Sequence, residues 1–209
     1  MKEADMQVTK VLITAFDPFG GEKINPAWEV AKILEQKELK NIMIKAIQVP
    51  TVFKEAVNEV VPVINEEQPD LVISLGQAAG RTGIDLERVA INIDDATSPD
   101  NKNNRPVDLP IEKDGPAAYF ATLPIKAMVE AMKAEGIPAN ISNSAGTFVC
   151  NHLMYGVLHY IHTNALPIKA GFIHLPYLPQ QAVNHKGAPS MSLETMVAGL
   201  EVGILKVLC

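Results

Sequence analysis

The sequence has few cysteines, no long apolar run and no recognisable leader segment. Two cysteines in 209 residues, Cys150 and Cys209, are too few for a disulfide framework, so we expect free thiols. Cys209 ends the chain, where we expect fraying. No apolar run approaches the roughly 18 residues of a membrane-spanning helix, and the opening residues MKEADMQVTK lack the apolar core of a signal peptide. These absences predict a cytoplasmic protein without a membrane partner.

Basic charge is also scarce. The net charge is −6, and no run of lysine and arginine is interleaved with aromatic residues. Nucleic-acid binding requires a basic patch, so we expect no nucleic-acid partner. The histidines lack the spacing of metal ligands, apart from His159 and His162, which lie three residues apart. We therefore expect no metal ion and no cofactor.

Apolar, β-branched segments alternate with helical patterns along the chain. The predicted strands cover residues 9–16, 42–49, 70–76, 86–93, 139–144 and 169–175. The first predicted helix begins at Pro26, after an N-cap at Asn25. Four further helices are predicted over residues 52–67, 119–136, 150–161 and 192–207. This alternation predicts an α/β fold, a single-domain three-layer α/β/α sandwich around a mostly parallel, mixed sheet. We expect residues 1–8 to form a flexible tail and residues 9–209 a single domain.

The segment from Asp94 to Pro110 is rich in Asp, Asn and Pro, and we predict a long loop there. Its length indicates a functional loop or a lid rather than a linker.

Cys150 lies where small residues lead from a predicted strand into a predicted helix. Ser144, Ala145 and Gly146 precede it and would let a substrate approach the backbone closely. At a helix start, free N–H groups and the helix dipole favour a thiolate over a thiol. The same N–H groups stabilise an oxyanion on a bound carbonyl. A buried structural cysteine is the alternative, but the position favours a nucleophile.

A thiolate nucleophile needs a histidine as acid and base, and the sequence offers five. His174 ends the apolar segment KAGFIH, and open α/β sheets bind ligands at the carboxyl ends of parallel strands. Cys150 begins a helix at the same predicted edge. His152, two residues from Cys150, faces elsewhere on the helix, which favours a structural or surface role. His185 lies in a Gly- and Pro-containing loop, where we expect it to be solvated.

A third side chain is expected to orient the imidazole of His174. Glu87, Asp85 and Asp94 are all candidates, and the residues alone do not choose among them. For Glu87, an edge-strand charge paired with a basic neighbour is the structural alternative.

Several segments together resemble the pyroglutamyl-peptidase I family of cysteine peptidases. They are GQAAGRTGIDLERVAIN, ISNSAGTFVCNH and GFIHLPYLP, supported by FDPFGG with NPAWE, VPTVF, and GPAAYF with LPIKAM. The resemblance extends from Lys10 to the final helix. It implies removal of an N-terminal pyroglutamyl residue from peptides through a thioester acyl-enzyme. It also implies a mixed-sheet α/β/α fold, a homotetramer and no metal.

The same resemblance implies roles for individual residues. Cys150 would be the nucleophile, His174 the acid and base, and Glu87 the residue that orients His174. The pocket for the lactam ring would be formed by Phe16, Phe19, Thr51, Gln77, Phe148 and Val149. Phe16 and Phe19 would flank the ring, and backbone groups near Phe148 would bind its polar edge.

The resemblance is incomplete just before the segment PDN, residues 99–101. Family members have an arginine and an apolar residue there, whereas this chain has Thr97 and Ser98. The family arginine lies near the oxyanion, so its replacement predicts a slower enzyme. A catalytically weakened binding protein of the same fold is therefore one alternative.

A nucleoside phosphorylase-like enzyme is a second alternative, since GQAAGRTG resembles a glycine-rich phosphate loop. The sequence has neither of the glycine-rich motifs that define common nucleotide-binding loops, which disfavours this reading.

Overall fold

The computed structural model describes residues 8–207. The tail predicted over residues 1–8, apart from Val8, and the fraying predicted for Cys209 lie outside the described residues. The strands are β1 (Thr9–Phe16), β2 (Ile42–Val49), β3 (Leu71–Gln77), β4 (Ile84–Glu87), β5 (Val89–Ile91), β6 (Ala118–Phe120), β7 (Ala139–Ser142) and β8 (Lys169–Leu175). The helices are α1 (Pro26–Glu35), α2 (Glu55–Glu67), α3 (Ile125–Ala134), α4 (Val149–Thr163), α5 (Pro179–Ala182) and α6 (Leu193–Val207).

The central sheet has six strands in the order β2-β1-β3-β8-β4-β7. Every neighbouring pair is parallel except β4 and β8, which are antiparallel. The predicted mixed sheet is therefore confirmed. β3 is buried along its whole length, as expected for a strand covered on both faces.

Helices cover both faces of the sheet and produce the predicted three layers. Along β1, Val11 and Ile13 pack into one core cluster with α1, α3 and α6, whereas Leu12 and Phe16 pack into a second cluster with α2 and α4. Successive side chains of a strand point to opposite faces, so one strand supplies both cores. The predicted N-cap at Asn25 is confirmed, because its side-chain oxygen accepts a hydrogen bond from the Ala27 N–H.

The predicted strand over residues 86–93 is in fact two strands in two sheets. β4 belongs to the central sheet, whereas β5 pairs with β6 in a separate two-stranded sheet. The chain leaves the central sheet at Arg88, whose N–H still donates to the Ser142 carbonyl while its own carbonyl accepts from Ala121. An apolar pattern cannot reveal this change of partners.

The predicted helix over residues 119–136 begins six residues later than expected, at Ile125. Pro124 is its N-cap, and the residue before a proline is disfavoured in the helical region. Residues 118–120 form β6 instead. The loop predicted from Asp94 to Pro110 is confirmed, and its ends are joined by backbone hydrogen bonds between Asp94 and Leu109.

β7, which precedes α4 in the chain, does not end at the same edge of the sheet as β8. β7 is parallel to β4 and therefore runs opposite to β8. The carboxyl end of β7 thus points away from the edge where β8 ends, and residues 143–148 lead from it to α4.

Candidate active site

His174 lies near the carboxyl end of β8, between two other strands of the sheet. It is in register with Gly76 of β3 on one side and with Asp85 of β4 on the other. Its side chain is buried. The ladder hydrogen bonds on both sides fix the backbone at this position, so the imidazole is presented from a rigid element.

Cys150 is in the first turn of α4, as the sequence predicts. Phe148 is the N-cap residue, and among the residues that the structure describes no side chain caps this helix start. The first N–H groups therefore remain available to a bound ligand. The thiol is a free cysteine and is partly exposed.

Gly76 allows the start of α4 to approach the sheet. A Cβ atom added to Gly76 would lie 3.1 Å from Sγ of Cys150 and 2.7 Å from the ring of Phe172. Only a residue without a side chain fits this space without displacing a neighbour. The glycine in the segment SLGQ is thus a packing requirement of the site.

Glu87 and His174 form a buried hydrogen bond. Nδ1 of His174 lies 2.8 Å from Oε1 of Glu87, whose side chain is fully enclosed. Of the three carboxylates that the residues alone left open, Glu87 is the one hydrogen-bonded to His174. Asp85 instead accepts from Arg81 and Asn140, and Asp94 contacts His152.

The surroundings of His174 favour its protonated form. Burial by itself lowers the pKa of His174, but the negative charge and hydrogen bond of Cys150, followed by those of Glu87, outweigh it and raise the pKa to about 9. Because Nδ1 is bonded to Glu87, the other ring nitrogen, Nε2, is the one left for Cys150. The three side chains thus form a connected series of thiol, imidazole and carboxylate.

Arg81 is a charged residue of the site that the sequence reasoning missed. Its Nη1 lies 2.8 Å from Oδ2 of Asp85, and its Nη2 lies 3.5 Å from the same Glu87 oxygen that accepts from His174. The guanidinium offsets the charge of two buried carboxylates. The only signal in the sequence was its i, i+4 spacing to Asp85.

A cavity of about 620 Å³ contains both Cys150 and His174 in its lining. Three of the predicted pocket residues, Phe19, Gln77 and Phe148, also line it. The cavity has apolar and polar walls and a volume typical of small-ligand sites.

The other three predicted pocket residues do not belong to the lining as described over residues 8–207. Phe16 is buried in the core, with its ring 6.3 Å from that of Phe172. Val149 is fully buried at the start of α4. Thr51 is buried too, and both its N–H and its hydroxyl donate to Oδ1 of Asp17 at 2.7 Å. Thr51 thereby joins the loop after β1, which carries Phe19, to the turn before α2.

His185 is not simply solvated, contrary to expectation. Its Nε2 donates to Oε1 of Glu22 at 2.7 Å, and its ring stacks on Tyr177 with centroids 4.7 Å apart. Glu22, Tyr177 and His185 all line the cavity. The reason is tertiary: the loop after α5 folds back onto the loop after β1, a contact that spans 163 residues of sequence.

His152 is structural and buried, which agrees with one of the two roles expected for it. Its Nδ1 contacts the carboxylate of Asp94 at 2.9 and 3.0 Å, and its Nε2 accepts the N–H of Lys54 at 2.9 Å. These two contacts join the first turn of α4 to the long loop and to the start of α2.

The remaining histidines are engaged with aromatic residues. His159 is hydrogen-bonded to the Tyr119 hydroxyl at 3.0 Å, and the ring of His162 lies 5.4 Å from that of Tyr119. Within residues 8–207, no group of three or more His, Cys, Asp or Glu side chains is arranged to hold a metal ion. In the same range, no helix is both long and apolar enough to cross a membrane.

Thr97 and Ser98 are exposed in the long loop and are absent from the cavity lining described above. The loop nevertheless runs beside the site. The Asp95 N–H donates to the carbonyl of Thr147 at 3.0 Å, and Thr147 directly precedes Phe148.

Comparison with known proteins agrees with this geometry. A family profile described as pyroglutamyl peptidase matches residues 9–208. The chain belongs to the pyroglutamyl peptidase family. A pyrrolidone-carboxylate peptidase of Thermoanaerobacter pseudethanolicus is 58% identical over 195 residues, which cover 93% of this chain and 96% of that protein. Pyrrolidone-carboxylate peptidase 1 of Caldanaerobacter subterraneus is 56% identical with the same coverage.

Solved structures of this family share the fold. The crystal structure of pyroglutamyl peptidase I from Bacillus amyloliquefaciens superposes with a TM-score of 0.92 at 48% identity, covering 95% of this chain and 94% of that one. A mutant pyrrolidone carboxyl peptidase from Pyrococcus furiosus gives the same TM-score at 42% identity, covering 96% of this chain and 98% of that one. The fold expected from the family resemblance is thus confirmed.

Proposed function

We propose that this chain is a cysteine peptidase that removes an N-terminal pyroglutamyl residue from peptides, with Cys150, His174 and Glu87 as its catalytic residues. Membership of the pyroglutamyl peptidase family supports the reaction. The observation that supports the assignment of residues most directly is the buried hydrogen bond of His174 to Glu87 beside the thiol of Cys150.

Acylation begins when the Cys150 thiolate attacks the carbonyl carbon of the pyroglutamyl peptide bond. The carbonyl electron pair moves to oxygen, and the N–H groups at the start of α4, which no side chain caps, stabilise that oxyanion. The C–N bond then breaks, and His174 gives its Nε2 proton to the leaving amine. The product of this half-reaction is a thioester between Cys150 and the pyroglutamyl group.

Deacylation reverses the role of His174. The neutral imidazole takes a proton from water, which attacks the thioester carbonyl, and the thiolate leaves with its electron pair. Free pyroglutamate is released, and the imidazolium and thiolate are restored. Glu87 keeps Nδ1 protonated throughout, so that Nε2 faces the reacting atoms.

The cavity fits a neutral five-membered lactam. Such a ring offers one N–H donor, one carbonyl acceptor and apolar faces. Phe19 and Phe148 supply apolar surface in the lining, and Gln77 supplies an amide. Pyroglutamate carries no ammonium group, so the site needs no carboxylate to anchor one. We retain Phe16, Thr51 and Val149 as residues that support the pocket from behind.

We also propose that the active form is a cytoplasmic homotetramer, as the family resemblance implies. Large apolar side chains on the surface are consistent with subunit contacts, with Phe120 69% exposed and Val107 62% exposed. Sedimentation at several protein concentrations checks the assembly. A single monomeric species at all concentrations would contradict it.

The reaction is tested with the parent protein on pyroglutamyl-aminomethylcoumarin and prolyl-aminomethylcoumarin. Cleavage of the first with little of the second supports the proposal. Proline lacks the ring carbonyl, and a site that hydrogen-bonds a substrate group rejects analogues without it by roughly 10⁴-fold. Binding of a pyroglutamyl peptide without turnover would favour the weakened binding protein. Phosphate-dependent cleavage of a nucleoside would favour the phosphorylase-like alternative.

A further inference from the structure

Gln181 is a buried glutamine of α5 whose amide is bonded at both ends. Its Oε1 accepts the N–H of Leu178 at 3.0 Å. Its Nε2 lies 2.8 Å from Oε1 of Gln77, 3.2 Å from Oε2 of Glu22 and 3.3 Å from the carbonyl oxygen of Ile24. The side chain thus connects the segment after β8, the last residue of β3 and the loop after β1.

The orientation of this amide follows from the chemistry of its neighbours. A backbone N–H can only donate, so the amide atom that faces Leu178 must be the oxygen. A carboxylate and a backbone carbonyl can only accept, so the atom that faces Glu22 and Ile24 must be the nitrogen. The hydrogen bond from His185 lowers the pKa of Glu22, so this side chain is a carboxylate at neutral pH. The reverse orientation of Gln181 would set its oxygen against two acceptors.

The orientation of Gln181 decides that of Gln77. Because the NH₂ group of Gln181 faces Gln77, the Gln77 atom in that contact must be its oxygen. The NH₂ group of Gln77 then faces away from Gln181. Within residues 8–207, this nitrogen makes no hydrogen bond. In that range, the side-chain nitrogen or oxygen atom that is both fully buried and unpaired is Oε2 of Glu87. The unpaired nitrogen of Gln77 is therefore accessible rather than fully buried. Gln77 lines the cavity with Cys150, so its free donor is available to a bound ligand.

We propose that Gln181 is a positioning residue that fixes Gln77 as a hydrogen-bond donor to the ring carbonyl of the pyroglutamyl substrate. The proposal rests on the proposed function and assigns selectivity for that carbonyl to a residue outside the cavity lining. An unrestrained glutamine amide presents its oxygen as readily as its nitrogen, and the oxygen would repel the ring carbonyl. Gln181 removes this second orientation, so the parent protein binds the lactam without first reorienting Gln77.

The first test is Gln181→Met, which keeps the length of the side chain and removes both polar ends. We expect KM for pyroglutamyl-aminomethylcoumarin to rise roughly five- to tenfold, as for the loss of one oriented hydrogen bond, with a smaller change in kcat. The preference for this substrate over its thiolactam analogue should fall, because sulfur is a poor acceptor. The matched control is Gln180→Met, at an exposed neighbouring glutamine, which should behave as the parent.

A double-mutant cycle separates a positioning role from a general structural one. If Gln181 acts through Gln77, then Gln77→Met with Gln181→Met should be no more defective in KM than Gln77→Met alone. Effects that multiply in the double variant would overturn the proposal, as would an unchanged KM and an unchanged thiolactam preference in Gln181→Met. Melting temperatures measured alongside report any loss of folded protein.

A second variant keeps the proposal testable if Gln181→Met does not fold. Gln77→Glu retains an acceptor for Gln181 and removes the donor. We expect its KM to rise at least roughly tenfold, since a carboxylate would face the ring carbonyl. A KM equal to that of the parent would show that Gln77 is not a donor and would overturn the inference. Parent turnover in the same assay reports separately on the peptidase reaction.

Discussion

Nδ1 of His174 and Oε1 of Glu87 lie 2.8 Å apart, and both side chains are buried. The carboxylate accepts only from a protonated Nδ1, so it determines that Nε2 is the nitrogen available to Cys150. It also stabilises the imidazolium. The contact thereby sets both the geometry and the protonation of the group that must deliver a proton to the leaving amine.

The first prediction concerns the pH dependence of turnover. The pKa of His174 is raised to about 9, so the ring remains protonated through neutral pH and loses its proton as the pH rises through that value. We expect kcat/KM for pyroglutamyl-aminomethylcoumarin to fall above about pH 9. In Glu87→Gln the stabilising charge is lost, so the alkaline limb should move to lower pH and the rate should fall roughly 10²- to 10⁴-fold. An alkaline limb at the same pH in both proteins would contradict this role.

The second prediction concerns Gly76. In Gly76→Ala, the new methyl group would crowd Sγ of Cys150 and the ring of Phe172. We expect kcat/KM to fall roughly 10²-fold, because a displacement of about 1 Å at a reacting group has that effect. The control is Gly171→Ala, where a Cβ would meet Leu123 at 2.8 Å. It should lose about 1–3 kcal/mol of stability and keep its turnover. Equal turnover losses in the two variants would show that crowding near Cys150 has no special effect.

The third prediction concerns Thr97. Thr97 lies in the exposed loop that is hydrogen-bonded, through the Asp95 N–H, to the segment containing Thr147 and Phe148. Thr97→Arg should raise kcat by up to roughly 10²-fold, the magnitude associated with one oxyanion donor. Thr97→Gln, which is long but uncharged, is the control and should change kcat little. If Thr97→Arg and Thr97→Gln behave alike, the departure from the family pattern is without catalytic consequence.

The fourth prediction concerns the buried contact between His152 and Asp94. Replacing His152 by Leu would leave the buried Asp94 carboxylate without a partner and would remove the acceptor of the Lys54 N–H. We expect the free energy of unfolding, measured with urea, to fall by about 3 kcal/mol. His162→Leu, at an exposed position of the same helix, should change it by about 0.5 kcal/mol or less. A loss in His152→Leu no larger than in this control would contradict the structural role.

The sequence predicts local features of the fold well. The Asn25 cap and the bounds of β1, β2 and β8 were each predicted from neighbouring residues and agree with the structure. The break at Arg88 and the opposite direction of β7 depend on which strands lie next to each other. That pairing is tertiary, and no local pattern contains it.

The residues of the candidate site likewise include some that local sequence predicts and some that it does not. Cys150 and His174 were predicted from the chemistry of a helix start and a strand end, and the structure brings them together. Glu87 was distinguished from Asp85 and Asp94 only by the family resemblance. Gln181 gave no local signal, because its partner Gln77 lies 104 residues away in the sequence.

The most direct test of the account compares the two cysteines of the chain. We would measure kcat/KM for pyroglutamyl-aminomethylcoumarin in the parent, Cys150→Ala and Cys209→Ala. The account predicts a loss of at least roughly 10³-fold in Cys150→Ala, as expected when a nucleophile is removed, and an unchanged rate in Cys209→Ala. Parent-like turnover by Cys150→Ala would contradict the thioester mechanism.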